Sequence, residues 1–375
     1  MLRFLTAGES HGKCLIAVLD GLPAGVPIRQ AAIDGEMKRR QFGYGRGPRM
    51  QLETDRVEIL SGLRHGKTLG SPMSLQIPNK DFSIDRLPVV TQPRPGHADL
   101  TGAMKYDHRD IRNVLERASA RETAARVAVG AICKQLLSEL GVELASHVVA
   151  IGSTRATRMP KLSIAQLRKR VDASPVRCLD PQATKKMMRE IDACMKRGDT
   201  LGGIFEVLAV GVPLGLGSYV QYDRRLDAIL ARAVMAIHAV KAVEVGDGVL
   251  ASSLPGSKVQ DEIFYSKRTG FTRSSNRAGG FEGGMTTGQL VIVRGFLKPL
   301  STLRKPLRSV EINTKRPVVA TVERSDVCTV PAAGVIGEAM IAFELTKAIL
   351  EKFGGDSLRE LKRNYQGYLG QLRQF

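Results

Sequence analysis

Three short segments set acid–base groups or fixed cations beside glycine and other small residues: Gly8-Glu9-Ser10-His11-Gly12, Arg94-Pro95-Gly96-His97-Ala98-Asp99 and Arg117-Ala118-Ser119-Ala120-Arg121-Glu122-Thr123. Small residues let the backbone approach a ligand closely. Imidazole titrates nearest neutral pH, so His11 and His97 suit the delivery of a proton to a departing phosphate. Guanidinium groups stay charged and match carboxylate or phosphate oxygens in a planar fork. Taken together the three segments describe one anion-handling site. For each histidine standing alone, a structural role is the alternative.

A fourth segment, from Lys38 to Arg56, holds Arg39, Arg40, Arg46, Arg49 and Arg56 with Gly43, Gly45 and Gly47 interleaved. Its glycines predict a mobile loop that closes over a polyanion. Gly66-Lys67-Thr68 lacks the earlier glycine of a Walker loop, and no strand precedes a Gly-x-Gly-x-x-Gly, so neither common route to nucleotide binding is favoured. Ser119, three residues before Glu122 and ahead of an apolar helical stripe, fits a capping box that opens a helix. The free N–H groups there, flanked by Arg117 and Arg121, make an anion socket. The alternative is that Ser119 only caps and the arginines pair with surface acids. Lys298-Pro299-Leu300-Ser301-Thr302 supplies a cation, hydroxyls and loop N–H groups suited to a cofactor phosphate; bare, it reads as a turn.

The elements that must position these groups are legible from periodicity. Apolar stripes at helical spacing run from Ala124 to Leu140 before Gly141, from Thr184 to Met195 before Gly198, from Leu226 to Ile237, and from Val335 to Leu350 near Gly354. Their methionines repeat at core spacing and read as packing. Cys14 to Leu19, Phe205 to Val212 and Gln289 to Phe296 are short and β-branched, as strands are. No fixed-period repeat is present. The class is α+β, a mixed α/β chain. Its 375 residues contain no linker on which to divide it, so one domain over 1–375 is expected.

Composition narrows the function. A net charge of +19 draws anions, and nucleic acid is the usual first guess. Only 5% of residues are aromatic and none is Trp, so stacking has little hardware. The Lys/Arg-rich stretch from Arg155 to Arg197 and the tail beyond Arg359 read as solvated faces. Cys14, Cys133, Cys178, Cys194 and Cys328 are scattered without a Cys-x-x-Cys pair, which predicts reduced core thiols. No spacing recommends a metal site. No apolar run approaches the roughly 20 residues that cross a bilayer, and Met1-Leu2-Arg3-Phe4 leads straight into the first motif. A cytoplasmic protein without membrane contact is expected.

These words, in this order, carry a resemblance. Thr6-Ala7-Gly8-Glu9-Ser10-His11-Gly12, Gly43-Tyr44-Gly45-Arg46-Gly47 with Glu53-Thr54-Asp55, the Gly-His-Ala-Asp and Ser-Ala-Arg-Glu-Thr segments, Asn276-Arg277-Ala278-Gly279-Gly280, Lys298-Pro299 and Arg324-Ser325-Asp326 follow the pattern of chorismate synthases from residue 1 to about 353. The chain resembles that family, with a basic tail over 354–375. The resemblance implies a β-α-β sandwich with helices enclosed between sheets, assembled as a homotetramer. It implies a carbon–oxygen lyase acting on 5-enolpyruvylshikimate 3-phosphate, which loses phosphate in an anti 1,4-elimination to give chorismate, the last step of the shikimate route. Reduced FMN lends an electron and takes it back, and NADPH enters only indirectly, through a separate flavin reductase. The residue roles it implies are His97 at the leaving phosphate, His11 on the protonation state of the flavin and Asp326 near flavin N5. Arg40, Arg46, Arg49, Arg94, Arg121 and Arg324 would bind the substrate's anionic groups. Flavin contacts would come from Arg117, Ala118, Ser119, His238, Ala239, Gly283, Lys298, Pro299, Leu300, Ser301, Thr302 and Arg324. His238 departs from the family's usual Gln, so flavin affinity is expected to be altered and not abolished. His65, His108 and His147 have no such support and read as surface or structural.

The small-anion and nucleic-acid readings separate in a filter-binding assay with unrelated DNA at low and physiological salt. At most weak association is expected; tight retention that falls steeply with salt would favour the nucleic-acid reading.

Overall fold

The computed structural model of the protein describes residues 1–47, 54–157, 162–323 and 325–375. Strands β1 (Arg3–Ala7), β2 (Cys14–Asp20), β3 (Glu58–Ile59) and β4 (Met73–Pro78) form an antiparallel sheet in the order β1-β2-β4-β3. Leu15 faces Ile77 and Leu19 faces Met73 across β2 and β4. A second sheet joins β5 (Glu143–Ile151), β6 (Thr154–Arg155), β7 (Gly203–Val210), β8 (Val240–Val245) and β9 (Val291–Leu297) in the order β8-β9-β7-β5-β6. β9 alternates buried and half-buried positions, as a sheet with one core face must. β5 is buried along most of its length because a helix covers its outer side.

The main helices are α1 (Gln30–Gln41), α2 (Asp99–Tyr106), α3 (Thr123–Ser138), α4 (Ile164–Ala173), α5 (Pro181–Lys196), α6 (Leu226–Met235), α7 (Val330–Phe353) and α8 (Leu358–Gln374). All four helices expected from periodicity are present. Gly141, Gly198 and Gly354 stand just beyond the ends of three of them with positive φ of 77°, 71° and 62°. The three expected strands correspond to β2, β7 and β9. α4 opens on a full capping box of Ser163 and Gln166. α5 opens on Asp180, whose carboxylate accepts from the Gln182 and Ala183 N–H groups ahead of Pro181.

Helices α1, α3 and α7 fill the space between the two sheets: α3 packs on β2 and β4, and α7 packs on β5 and β7. The fold is therefore the expected sandwich, and glycine sets its thickness. A β-carbon on Gly130 of α3 would collide with Ala339 of α7, and one on Gly337 of α7 would strike Phe205 of β7. Helix meets helix, and helix meets sheet, at backbone range. Phe4 of β1 closes on Phe343 edge to face, 4.7 Å between centroids, which ties the first sheet to α7.

A charged cluster lies inside this helical layer. Glu338 of α7, wholly buried, accepts Arg39 Nη2 at 2.8 Å, Lys134 Nζ at 2.5 Å and the Ser146 hydroxyl at 2.6 Å, with Arg177 Nη2 at 3.5 Å. Glu36 joins it through Arg39, Lys134 and Arg168. Burial alone would raise the Glu338 carboxyl; Arg39 and Lys134 outweigh it and hold the group well below the usual range. The cluster links α1, α3, α7 and β5.

Three expectations need correction. Lys38–Gln41 complete α1, so Arg39 and Arg40 stand on a helix and not on a glycine loop. The basic stretch from Arg155 is not all solvated face, since Arg177 is 1% exposed and joins the buried cluster. Residues 358–374 form a helix that buries Leu361 and Tyr365 under the end of α7. Cys133, Cys178, Cys194 and Cys328 are buried free thiols, and burial pushes Cys133 and Cys328 up to about 12.

Glu338→Ala removes the carboxylate at the centre of three cations and leaves Arg39 to Glu36 and Asp172, Lys134 to Glu36 and Arg177 to Asp172; breaking a buried pair costs about 3–5 kcal/mol. Because the folded carboxyl is depressed, its contribution is complete above the unfolded value of about 4.3 and is lost as pH falls through the lower folded value. Chemical denaturation is expected to show the variant less stable at pH 7 with the gap closing in acid. An unchanged midpoint at pH 7 would refute the assignment.

Candidate active site

A cavity of about 600 Å³ opens where the loop after β1, the loop before α2, the start of α3, the α6–β8 turn, the loop after β9 and the start of α7 meet. Its volume suits a cofactor and a small substrate. Its lining includes His11 and His97, Arg40, Arg46, Arg94, Arg121, Lys298 and Asp326. Residues that lie as far apart as 10 and 336 in the chain share one hollow.

The first motif reaches the cavity because Gly8 takes φ 100°, where a β-carbon would collide with the Cys14 carbonyl. The chain then hugs β2 and turns at Ser10-His11. The Ser10 N–H donates to Glu116 O at 3.0 Å, and the His11 N–H donates to Glu116 Oε2 at 2.8 Å. The imidazole Nδ1 lies 2.9 Å from Glu116 Oε1. Asn79 closes the turn by donating to the Glu9 and Gly12 carbonyls.

The second motif is built the same way. The Asp99 carboxylate takes the Arg94 N–H at 3.0 Å, Arg94 Nε at 2.8 Å and Arg94 Nη2 at 3.0 Å, and lies 2.5 Å from His97 Nδ1. Burial would raise Asp99, but His97 and Arg94 hold it below the usual carboxylate range. Glu116 is likewise held down by His11 against its burial. Arg94 also donates to Thr302 at 2.8 Å, while the Gly96 carbonyl accepts Lys298 Nζ at 2.5 Å and the Ser301 hydroxyl at 2.8 Å. The histidine loop and the Lys298–Thr302 loop are thus laced together. Arg94 is spent on this brace as well as facing the cavity.

The third motif supplies the start of α3. Ser119 accepts the Arg121 N–H at 3.3 Å and caps a single turn, Ala120–Glu122, that runs into α3. The expected capping box does not form: Ser119 caps the N–H two residues on, and Glu122 turns its side chain away to Thr6 and Arg126. The start of α7, through Thr329, Ala332 and Ala333, faces the same cavity. Two helix N-termini therefore add partial positive charge where the cations already gather.

Such a wall needs counter-charge. Asp55, with no exposed side chain, is shared by Arg40, at 2.9 Å, and Arg121. Burial, with Arg121 and Arg46 nearby, still lowers Arg40 to about 10. Asp326 accepts the Gly47 N–H at 2.6 Å and pairs with Arg46 at 2.8 Å. The described part of the expected mobile loop is also fastened by Val327 N–H to the Gly45 carbonyl and by the Tyr44 hydroxyl to Asp192.

His238 and Ala239 occupy the turn between α6 and β8. Ala239 has φ 67°, a costly conformation for a residue with a β-carbon, held by Lys298 N–H donating to its carbonyl at 2.9 Å. His238 Nδ1 is buried with no hydrogen-bond partner among the described residues, and its burial, then Arg126, holds the imidazole below its usual range. Beside them Ile237, Leu297, Leu115 and Ile336 give the cavity an apolar side.

Among the expected site residues, His11, His97, Asp326, Arg40, Arg46, Arg94, Arg121, Ala118, Ser119, His238, Ala239, Lys298, Leu300, Ser301 and Thr302 line this one cavity. Pro299 lies between two lining residues. Arg117 turns its guanidinium to the Thr6 and Gly8 carbonyls, outside the lining. Gly283 sits in a hairpin turn near Tyr219, outside the lining. Arg49 and Arg324 lie outside the described residues. His147 is a buried partner of Glu206, in keeping with a structural role. The carboxylates Asp55, Asp99 and Glu116 were given no role from sequence. Asp99 had a signal in its spacing from Arg94 and His97; Glu116 meets its histidine across 105 positions and had none.

A hollow with two imidazoles, clustered guanidinium groups and an apolar side suits the handling of a small anion. The sequence profile of the family described as "Chorismate synthase" matches residues 2–350. Curated chorismate synthases from Geobacillus thermodenitrificans and Desulforudis audaxviator are 54% and 56% identical over 388 and 385 aligned residues, covering all of this chain and 100% and 98% of theirs. A crystal structure of a chorismate synthase superposes with a TM-score of 0.82 at 42% identity, covering 100% of this chain and 99% of the other. The chain belongs to the chorismate synthase family.

A ligand that binds only the folded state raises its melting temperature. Inorganic phosphate is expected to do so here, and Arg46→Ala to weaken the rise. Equal stabilisation of both proteins would show that the anions bind elsewhere.

Proposed function

We propose that the protein converts 5-enolpyruvylshikimate 3-phosphate to chorismate and phosphate, closing the shikimate route, with reduced FMN held in the same cavity. The observation that carries this reading is the convergence of His11, His97, four arginines and Lys298 on one hollow of about 600 Å³. The substrate is a small polyanion, and its charge must be met where water is largely excluded. Arg46 and Arg121, with Arg40 behind them, suit its carboxylates and phosphate.

The flavin's fit rests on the apolar side formed by Ile237, Leu297 and Ile336, on the partnerless His238 Nδ1, and on the Lys298–Thr302 loop. The Lys298 ammonium and the Ser301 and Thr302 hydroxyls suit its phosphate, and Ala118, Ser119 and Ala239 its edge. When bound, reduced FMN supplies an electron that lets the C3–O bond break and recovers it as the C6 hydrogen leaves, so no net redox change results. The residues do the rest. His97 delivers a proton to the departing phosphate. His11 would set the protonation of the bound ring, and Asp326, fixed by Gly47 and Arg46, would take the proton at N5. Atoms balance as substrate to chorismate plus phosphate.

The same reading carries a homotetramer in the cytoplasm, supplied with reduced flavin by a separate, NADPH-linked reductase; family membership supports it, as does the lack, among the described residues, of any helix long and apolar enough to cross a membrane. An anaerobic assay with photoreduced FMN and the enolpyruvyl substrate tests the activity. Phosphate and chorismate are expected together, with His97→Ala and His11→Ala each slowing turnover by about 10²-fold or more. Full turnover in both variants would remove the histidines from these roles.

A further inference from the structure

We propose that Asp99 and Glu116 are positioning residues of the reaction, each fixing one cavity histidine in the tautomer that carries its hydrogen on Nδ1 and leaves Nε2 to exchange the proton. Both carboxylates follow one plan. Asp99 and Glu116 expose 0% and 1% of their side chains, and each accepts a backbone N–H from the motif of its histidine: Arg94 N–H for Asp99 and His11 N–H for Glu116. Each also stands within hydrogen-bond distance of an imidazole Nδ1, at 2.5 Å for His97 and 2.9 Å for His11. A third group completes each set. Arg94 forks onto Asp99, and Arg112 Nη1 lies 3.6 Å from Glu116 Oε1.

An ionised carboxylate only accepts, so Nδ1 must carry the hydrogen in both pairs. Arg94 Nη2 lies 3.1 Å from His97 Nδ1 and 3.0 Å from Asp99 Oδ1; with Nδ1 still nearer that oxygen, both nitrogens donate to it. The proton that each imidazole exchanges is then confined to Nε2, which on His11 lies 3.9 Å from Asp81 Oδ2. Two histidines on separate loops are thereby aimed by the same device, and each carboxylate steadies the imidazolium that forms when Nε2 is protonated.

The test has two arms. In nitrogen-15 histidine spectra of the whole wild-type protein, His97 and His11 are expected as Nδ1–H tautomers when neutral. The Nε2–H tautomer at either would overturn the proposal for that pair, whatever the protein's activity. The kinetic arm rests on the chorismate synthase reading and uses a double-mutant cycle with reduced FMN. Asp99→Asn is expected to lower kcat roughly 10²-fold or more while moving KM by less than about 3-fold. In a His97→Ala background the same change is expected to cost less than about 3-fold, because its partner is gone. Glu116→Gln and His11→Ala are expected to behave alike. Effects that multiply independently would make the carboxylates mere scaffolding. Wild-type protein that forms no chorismate would refute the functional reading instead, and the spectra would still decide the tautomer.

Discussion

Positive charge gathered in one hollow is the constraint on which the rest of this structure depends. Guanidinium groups a few ångströms apart repel one another, and taking each from water costs several kcal/mol before any ligand arrives. Asp55 between Arg40 and Arg121, and Asp326 beside Arg46, make the wall tenable by placing a carboxylate within reach of each cation. They offset the cost without cancelling it: Arg40 stays lowered, chiefly by its burial and then by Arg121 and Arg46. A guest carrying negative charge completes the balance, which is how a site prepared in this way favours polyanions over neutral molecules.

Side chains under that tension need a rigid support. The helical layer gives it through close backbone approach at Gly130 and Gly337 and through the Glu338 cluster. Arg39 belongs to the cluster and Arg40 to the cavity, so one turn of α1 divides its charge between the interior and the site. α7 has two duties as well. Its first turn faces the cavity while its middle, at Glu338, anchors the core.

Much of this was legible in the sequence, because the information was local. Helical stripes ending in glycine, β-branched runs and the order of the polar motifs gave the class of fold and most of the cavity's lining. What escaped was carried by distant partners. Glu116 looks like any helical glutamate until the chain brings His11 to it, and Asp55 is one acid among many until it meets two arginines. Arg39 and Arg40 were misread as loop residues because the glycines that follow begin only after α1 has ended. Arg177, in a run of basic residues, gave no sign that it turns inward. The box expected at Ser119 gave way to a simple cap because Glu122 found partners in Thr6 and Arg126.

The lacing of Gly96 to Lys298 and Ser301 and of Arg94 to Thr302 joins two stretches of chain some 200 positions apart into a single mechanical piece. Neither loop can swing outward without dragging the other or breaking three hydrogen bonds at once. The loop that carries His97 and the loop that carries Lys298 therefore keep one spacing, so proton donor and cation stay in fixed register with each other.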